Sequence, residues 1–340
     1  MSQLTPPVAP RVPHERTHHG DTFIDEYEWL RAKEDPETVA YLEAENAYAA
    51  QQTAHLEPLR QAIFDEIKSR TQETDLSVPA RKGEWWYYGR TIEGQQYALH
   101  CRCPAGSPDD WTPPELDASV EVPGEQLLID GNLEAEGHEF FSLGTLSVSP
   151  DGNLLAWSVD VTGGERYLMR FKDLRTGEVL PDEVPNTYPS TAWLGDGASI
   201  FYLTVDDAWR PDKVWKHVLG TSSDADELVY EEPDARFMVG VGSTRSERYI
   251  AIGISSKITS EIRVLDSQDP DAGFRVVAAR REGVEYSVDH AVVAGEDRFL
   301  ILHNDGGANF LLADAPVDDP SPEHWRTLLE LFDSTLKQTA

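Results

Sequence analysis

One pattern constrains this chain more than any other: a short all-β phrase that returns several times. Leu146-Ser147-Val148-Ser149 reads as a strand, Pro150-Asp151-Gly152 as a turn, and Leu154 to Val159 as a second strand. Thr191-Ala192-Trp193, a Gly195-Asp196-Gly197 turn and Ile200 to Leu203 repeat that hairpin. Phe237 to Gly242, the turn at Ser246-Glu247-Arg248 and Tyr249 to Ile254 repeat it again. Tyr286 to Val293, Glu296-Asp297 and Phe299 to His303 begin it once more. Further strands follow each hairpin: Tyr167 to Leu174, then Lys213 to His217 with Glu227 to Tyr230, then Glu261 to Leu265 with Phe274 to Ala279.

The turns fall near Asp151, Asp196, Glu247 and Asp297, a period of about 45–50 residues with about four strands per unit, which is the spacing of propeller blades. One blade has two apolar faces and cannot bury both, so it needs neighbours around a central channel. Stacked β-sandwich domains are the alternative, and they do not predict so even a spacing. An earlier unit runs through Trp85 to Tyr88, Glu93-Gly94 and Gln96 to His100. The expectation is an all-β chain: an incomplete β-propeller over 75–330, with blades at about 77–132, 140–185, 188–232, 237–282 and 286–330. Pro104 to Pro123, rich in Pro and acid, is expected to be a surface loop of the first blade. From Leu328 the strand pattern stops, and 331–340 form a tail.

Residues 1–74 follow a different rule and are expected to form an α-helical segment, beginning at about Ile24. Asp35-Pro36-Glu37 is a helix start. Val39, Leu42, Ala47 and Ala50 follow near helical spacing. After Pro58, the residues Leu59, Ile63 and Ile67 recur at i, i+4 and i+8, with Lys68 and Arg70 at the C-terminal end. Met1 to Pro13 is Pro-rich without an apolar run, so no signal peptide is expected. No apolar stretch is long enough to span a membrane.

Charge narrows the partners. Asp and Glu number 61 against 29 Lys and Arg, a net charge of −32. That balance repels phosphate backbones, so nucleic acid is an unexpected partner; it favours cationic partners by long-range steering, and read more simply it keeps the chain soluble. The two cysteines, Cys101 and Cys103, share one strand at a spacing that suits neither a zinc knuckle nor a disulfide framework, which points to a reducing, cytoplasmic compartment.

A longer compound pattern then appears. His19-Gly20-Asp21-Thr22, Asp25-Glu26-Tyr27-Glu28-Trp29-Leu30-Arg31, Asp35-Pro36-Glu37 and Tyr41 to Asn46 together resemble the N-terminal signature of the prolyl oligopeptidase family of serine peptidases. Glu66 to Thr71, Trp86 to Tyr97, Leu128 to Asn132, Glu139 to Gly144 and Ser147 to Asp151 resemble the oligopeptidase B branch. The likeness runs from about His14 to Arg326. It implies a seven-bladed propeller capping an α/β-hydrolase domain that carries Ser, Asp and His, and cleavage after Arg or Lys in short peptides only. Five blades of that ring, and no α/β-hydrolase domain, are expected here. No G-x-S-x-G nucleophile elbow occurs in the sequence.

No catalytic residue, cofactor or metal is therefore expected on this chain, and its role is expected to be gating and size selection, with the missing hydrolase domain and short cationic peptides as partners. A stand-alone propeller acting as an interaction module is the alternative. His18-His19 with Asp21 could bind a metal but read more simply as a surface feature, and His100, His217 and His303 read as satisfied strand histidines. The resemblance implies a propeller Glu and Arg whose contacts to the hydrolase domain differ between open and closed forms. By position these are Glu139 and Arg166, with Glu165 adjacent.

Overall fold

The computed structural model describes residues 5–107, 109–117, 120, 122–307 and 309–330. The chain divides into two compact units between Glu73 and Thr74.

The first unit is not helical throughout. Strands β1 (His14–His18) and β2 (Asp21–Asp25) pair antiparallel, so the helical reading from Ile24 is corrected: Ile24 lies opposite Glu15 in a hairpin. The turn His19-Gly20 has positive φ at both residues, 50° and 83°, which closes two strands in two residues. Helix α1 (Pro36–Thr53) begins where Asp35 accepts from Glu37 N, and α2 (Glu57–Arg70) begins with Pro58 in its first turn.

The second unit consists of blades of antiparallel strands. The first blade holds β3 (Asp75–Leu76), β4 (Ala80–Lys82), β5 (Trp85–Thr91), β6 (Leu99–Pro104) and β7 (Gln126–Asp130). After β7 the Asp130 carboxylate caps the short helix α3 (Gly131–Glu134) by accepting from Asn132 N and Leu133 N. Next come β8 (Ser142–Val148), β9 (Leu154–Asp160), β10 (Tyr167–Asp173) and β11 (Val179–Trp193). Strand β11 is 15 residues long and serves two blades. It pairs with β10 through Val179 to Thr187 and with β12 (Ser199–Val205) through Tyr188 to Trp193, fusing them into one seven-stranded sheet with β13 (Pro211–Val218) and β14 (Glu227–Glu231). The fourth blade is β15 (Met238–Ser243), β16 (Tyr249–Ser255), β17 (Ser260–Asp266) and β18 (Arg275–Ala278). The fifth is β19 (Tyr286–Val293), β20 (Glu296–His303), β21 (Leu311–Pro316) and β22 (Arg326–Glu330). Leu328 and Leu329 thus belong to a strand, with Leu329 opposite Leu312, where the sequence pattern had stopped. The tail 331–340 lies outside the described residues.

The core lies between blades, as the packing argument requires. Ala192, Phe201, Leu203 and Val214 of the third blade share one cluster with Val239, Ile250, Ile252 and Ile254 of the fourth. Tyr249 and Val264 join Phe299, Ile301 and Ala315 of the fifth, and Met169 and Phe171 of the second join Ile200 and Tyr202. Polar stitches fix the same interfaces. Ser190 Oγ donates to Val241 O at 2.7 Å and accepts from Val241 N at 3.1 Å, so one hydroxyl satisfies both backbone groups of an edge residue. Tyr286 Oη accepts from Ile262 N and Ala278 N at 2.8 and 3.1 Å and donates to Ala278 O, filling the bulge where the β17–β18 register shifts.

Candidate functional site

Antiparallel pairing sends alternate turns of each blade to opposite ends. One end, the upper, carries the β9–β10, β12–β13 and β16–β17 turns and the connections between blades. The lower end carries the turns at Asp151, Asp196 and Glu247. Both sequence candidates fall at the upper end.

Arg166 is placed by a turn that Asp160 organises. Its carboxylate accepts from Thr162 N, Thr162 Oγ1, Gly163 N and Glu165 N at 2.8 to 3.1 Å. Burial works against the charge, but these bonds win and hold the carboxyl below its ordinary value. Glu165 then takes φ 54°, a left-handed conformation uncommon for a residue with a Cβ. In the neighbouring turn Asp206 accepts from Ala208 N and Arg210 N, and Trp209 takes φ 61°. The two turns interlock. Trp209 Nε1 donates to Gly164 O at 2.9 Å, and the Arg166 guanidinium lies 4.8 Å from the Trp209 ring centre.

Glu139 is exposed in the connection that follows α3. The adjacent Phe140 ring lies beside Gly163, where an added Cβ would stand 3.9 Å from it. The two candidates therefore occupy neighbouring loops. No ion pair joins them among the described residues: Arg166 faces Trp209 and the Asp206 carbonyl, at 3.5 Å, and Glu139 faces solvent.

Further round the same end, a charged network crosses from the third blade to the fourth. Arg280 Nη2 donates to Glu232 Oε2 at 2.7 Å, its Nε to Glu261 Oε2 at 3.4 Å, and Tyr230 Oη donates to Glu232 at 2.7 Å. Glu232 is 2% exposed. Burial opposes its charge, yet Arg280 and Tyr230 hold the carboxyl below its ordinary value, while burial and Glu232 push the Tyr230 hydroxyl up to about 12. Arg210 anchors the connection between these blades through Nη1, donating to Glu232 O and Phe237 O.

The histidines divide by environment. His217, in β13, is fully buried, stacked on Phe171, with Nδ1 2.7 Å from Asp226 Oδ1 and Nε2 3.5 Å from Asp182 Oδ1. Tyr202 Oη donates to the same Asp226. His100 and His303 sit in strands where burial pushes both below the ordinary histidine value. His18 ends β1 and His19 opens the β1–β2 turn, with ring centres 4.1 Å apart. Among the described residues no group of three or more His, Cys, Asp or Glu side chains is arranged to hold a metal ion. Cys101 and Cys103 are buried free thiols, and burial pushes Cys101 up to about 12, so neither is poised as a nucleophile. Sequence reasoning missed Trp209, Tyr230, Glu232, Glu261 and Arg280. The Asp206–Arg210 spacing was readable, but the left-handed turns that aim Trp209 were not.

Comparisons with known proteins agree with this architecture. The family model described as "Prolyl oligopeptidase, N-terminal beta-propeller domain" matches residues 7–339. Dipeptidyl aminopeptidase BI of Pseudoxanthomonas mexicana is 39% identical over 331 residues, 96% of this chain and 45% of that protein. Protease 2 of Moraxella lacunata is 35% identical, over 93% of this chain and 44% of that protein. Oligopeptidase B from Leishmania major superposes with a TM-score of 0.82 at 30% identity, over 95% of this chain and 46% of that one. Oligopeptidase B from Trypanosoma brucei, in a closed form with covalently bound antipain, gives 0.83 at 30% identity, over 97% and 47%. The chain spans less than half the length of the relatives it matches.

Proposed function

Because the chain belongs to the prolyl oligopeptidase family, through that family's N-terminal β-propeller domain, we propose that it is the gating part of an oligopeptidase B-type serine peptidase that cleaves short peptides after Arg or Lys. The propeller limits access by size. The whole chain's −32 charge steers cationic peptides toward the reacting centre, which an α/β-hydrolase part supplies. On this reading the chain alone does not hydrolyse peptides.

The observation that carries the reading is on α2. Leu59, Ile63, Phe64 and Ile67 form one stripe at helical spacing, and they are 57, 49, 59 and 62% exposed. An apolar stripe of this kind on a surface helix is the signature of a face that another body covers. The hydrolase part is the body proposed to cover it. Two upper-end candidates, Glu139 and Arg166, are proposed to make the contacts that distinguish open from closed states. The buried free thiols Cys101 and Cys103 fit a reducing compartment, and the cytoplasm is the proposed location. No helix of the described residues is long and apolar enough to cross a membrane.

Docking is tested by size-exclusion co-elution with a separately produced α/β-hydrolase part. The wild-type chain is expected to co-elute, and the I63D/I67D double variant is expected to remain folded by circular dichroism while eluting alone. Equal co-elution by the variant would remove α2 as the docking face.

A further inference from the structure

We infer that a cavity at the upper end of the fourth blade is a subsite for the free C-terminal carboxylate of a short peptide, an inference that rests on the peptidase reading above. Three loops build it. Asp234, Arg236 and Phe237 come from the connection entering the fourth blade, Ser256 to Thr259 from the β16–β17 turn, and Arg280 and Glu282 from the connection leaving it. Its volume is about 580 Å³, within the range of small-ligand sites.

The cations of this cavity keep donors to spare. Asp234 engages Arg236 through Nε and Nη2, and Glu232 and Glu261 engage Arg280 through Nη2 and Nε. These acids leave Nη1 of each guanidinium uncommitted among the described residues. Lys257, exposed on the turn, has no acceptor at all among them. Asp234, Glu232 and Glu261 already balance the two guanidiniums, so Lys257 is the unbalanced cation, and its ammonium together with the two open Nη1 groups suits a singly charged anion. The remaining wall fixes what kind. Phe237 lies under both guanidiniums, with Arg280 4.3 Å and Arg236 5.9 Å from its ring centre, and Ile258 is 52% exposed beside Lys257. Ile258 offers apolar contact to a side chain, while Phe237, buried, is the floor on which the two guanidiniums rest. Glu282 adds a carboxylate to the lining, which disfavours a multiply charged phosphate and accommodates peptide N–H groups or a cationic side chain.

The loops are held before any ligand arrives. Ser256 N donates to Thr259 O at 2.8 Å, and Gly283 N donates to Thr259 Oγ1 at 3.1 Å, tying the turn to the next connection. Little ordering remains to be done on binding.

The experiment is a methyl-NMR titration of the whole chain labelled at isoleucine, read at Ile258. The probes are acetyl-trialanine with a free carboxylate, the same peptide as its C-terminal amide, and inorganic phosphate. The free acid is expected to shift Ile258 saturably, with affinity falling several-fold in K257A, while the amide leaves it unmoved. Equal shifts from the amide, no shift from the acid, an unchanged affinity in K257A, or tighter binding of phosphate than of the acid would each overturn the inference. The readout involves no hydrolysis and no second domain, so its failure leaves the docking reading intact, and failure of docking leaves the titration interpretable.

Discussion

The ammonium of Lys82 lies 2.6 Å from Glu247 Oε1, joining β4 of the first blade to the β15–β16 turn of the fourth. The same ammonium donates to Val148 O of the second blade at 3.1 Å. Three blades therefore meet on one charge at the lower end. With the two side chains 40% and 37% exposed, solvent screens the pair, and it is worth under about 1 kcal/mol. Urea unfolding of E247Q should show a loss within that bound that shrinks further at high salt. A loss well beyond it would mean that the lower end is stapled by something other than this ion pair.

Arg280 and Glu232 behave differently because Glu232 is buried. R280M leaves the Glu232 carboxylate with Tyr230 Oη and the Asp234 N–H, and the expected loss is about 2–4 kcal/mol, at the lower side because of those two donors and because Arg280 is itself partly exposed. The pH dependence has a fixed sign. The Glu232 carboxyl is held below its ordinary value of 4.5, so its contribution is full above that pH and lost as pH falls through the lowered folded value. Denaturation followed from neutral to acid pH should show a steeper decline in the wild type than in R280M.

Tyr286 is the polar plug between the fourth and fifth blades. In Y286F the N–H groups of Ile262 and Ala278 lose their acceptor in a buried bulge, at a cost of about 2–3 kcal/mol. Hydrogen exchange at those two amides should accelerate in the variant more than at the paired amides of β19. Uniform acceleration would point to a global rather than a local loss.

Arg166 and Trp209 give the opposite expectation. Trp209 is 45% exposed and the pair lies on the surface, so R166A should cost under about 1 kcal/mol of stability. The expected effect is functional. In an assembled enzyme R166A and E139Q should change the ratio of rates on short and longer peptides while leaving the melting temperature nearly unchanged. Variants that alter neither ratio would remove the gating role of these loops.

The blades were legible because turn chemistry is local. Asp151, Asp196 and Glu247 mark hairpins whether or not their partners are known, and the strand after each is apolar enough to read. The β1–β2 hairpin was not legible, since His19 reaches positive φ without being Gly or Asn, and Asp21 to Asp25 carries no strong strand alternation. The double use of β11 was hidden by Pro185, which reads as a break and yet lies within the strand. Glu139 and Arg166 were reachable only by position in a family pattern. The groups that surround them are set by contacts between turns about 45 residues apart, such as Trp209 with Gly164, which no local signal encodes.

The gating role is tested most directly by a peptidase assay with an Arg-based chromogenic peptide, using this chain alone and then with an α/β-hydrolase part added. It predicts no turnover by the chain alone and turnover of the short peptide, abolished by a serine-directed inhibitor, once the second part is present. Inhibitor-sensitive turnover by the chain alone would contradict it.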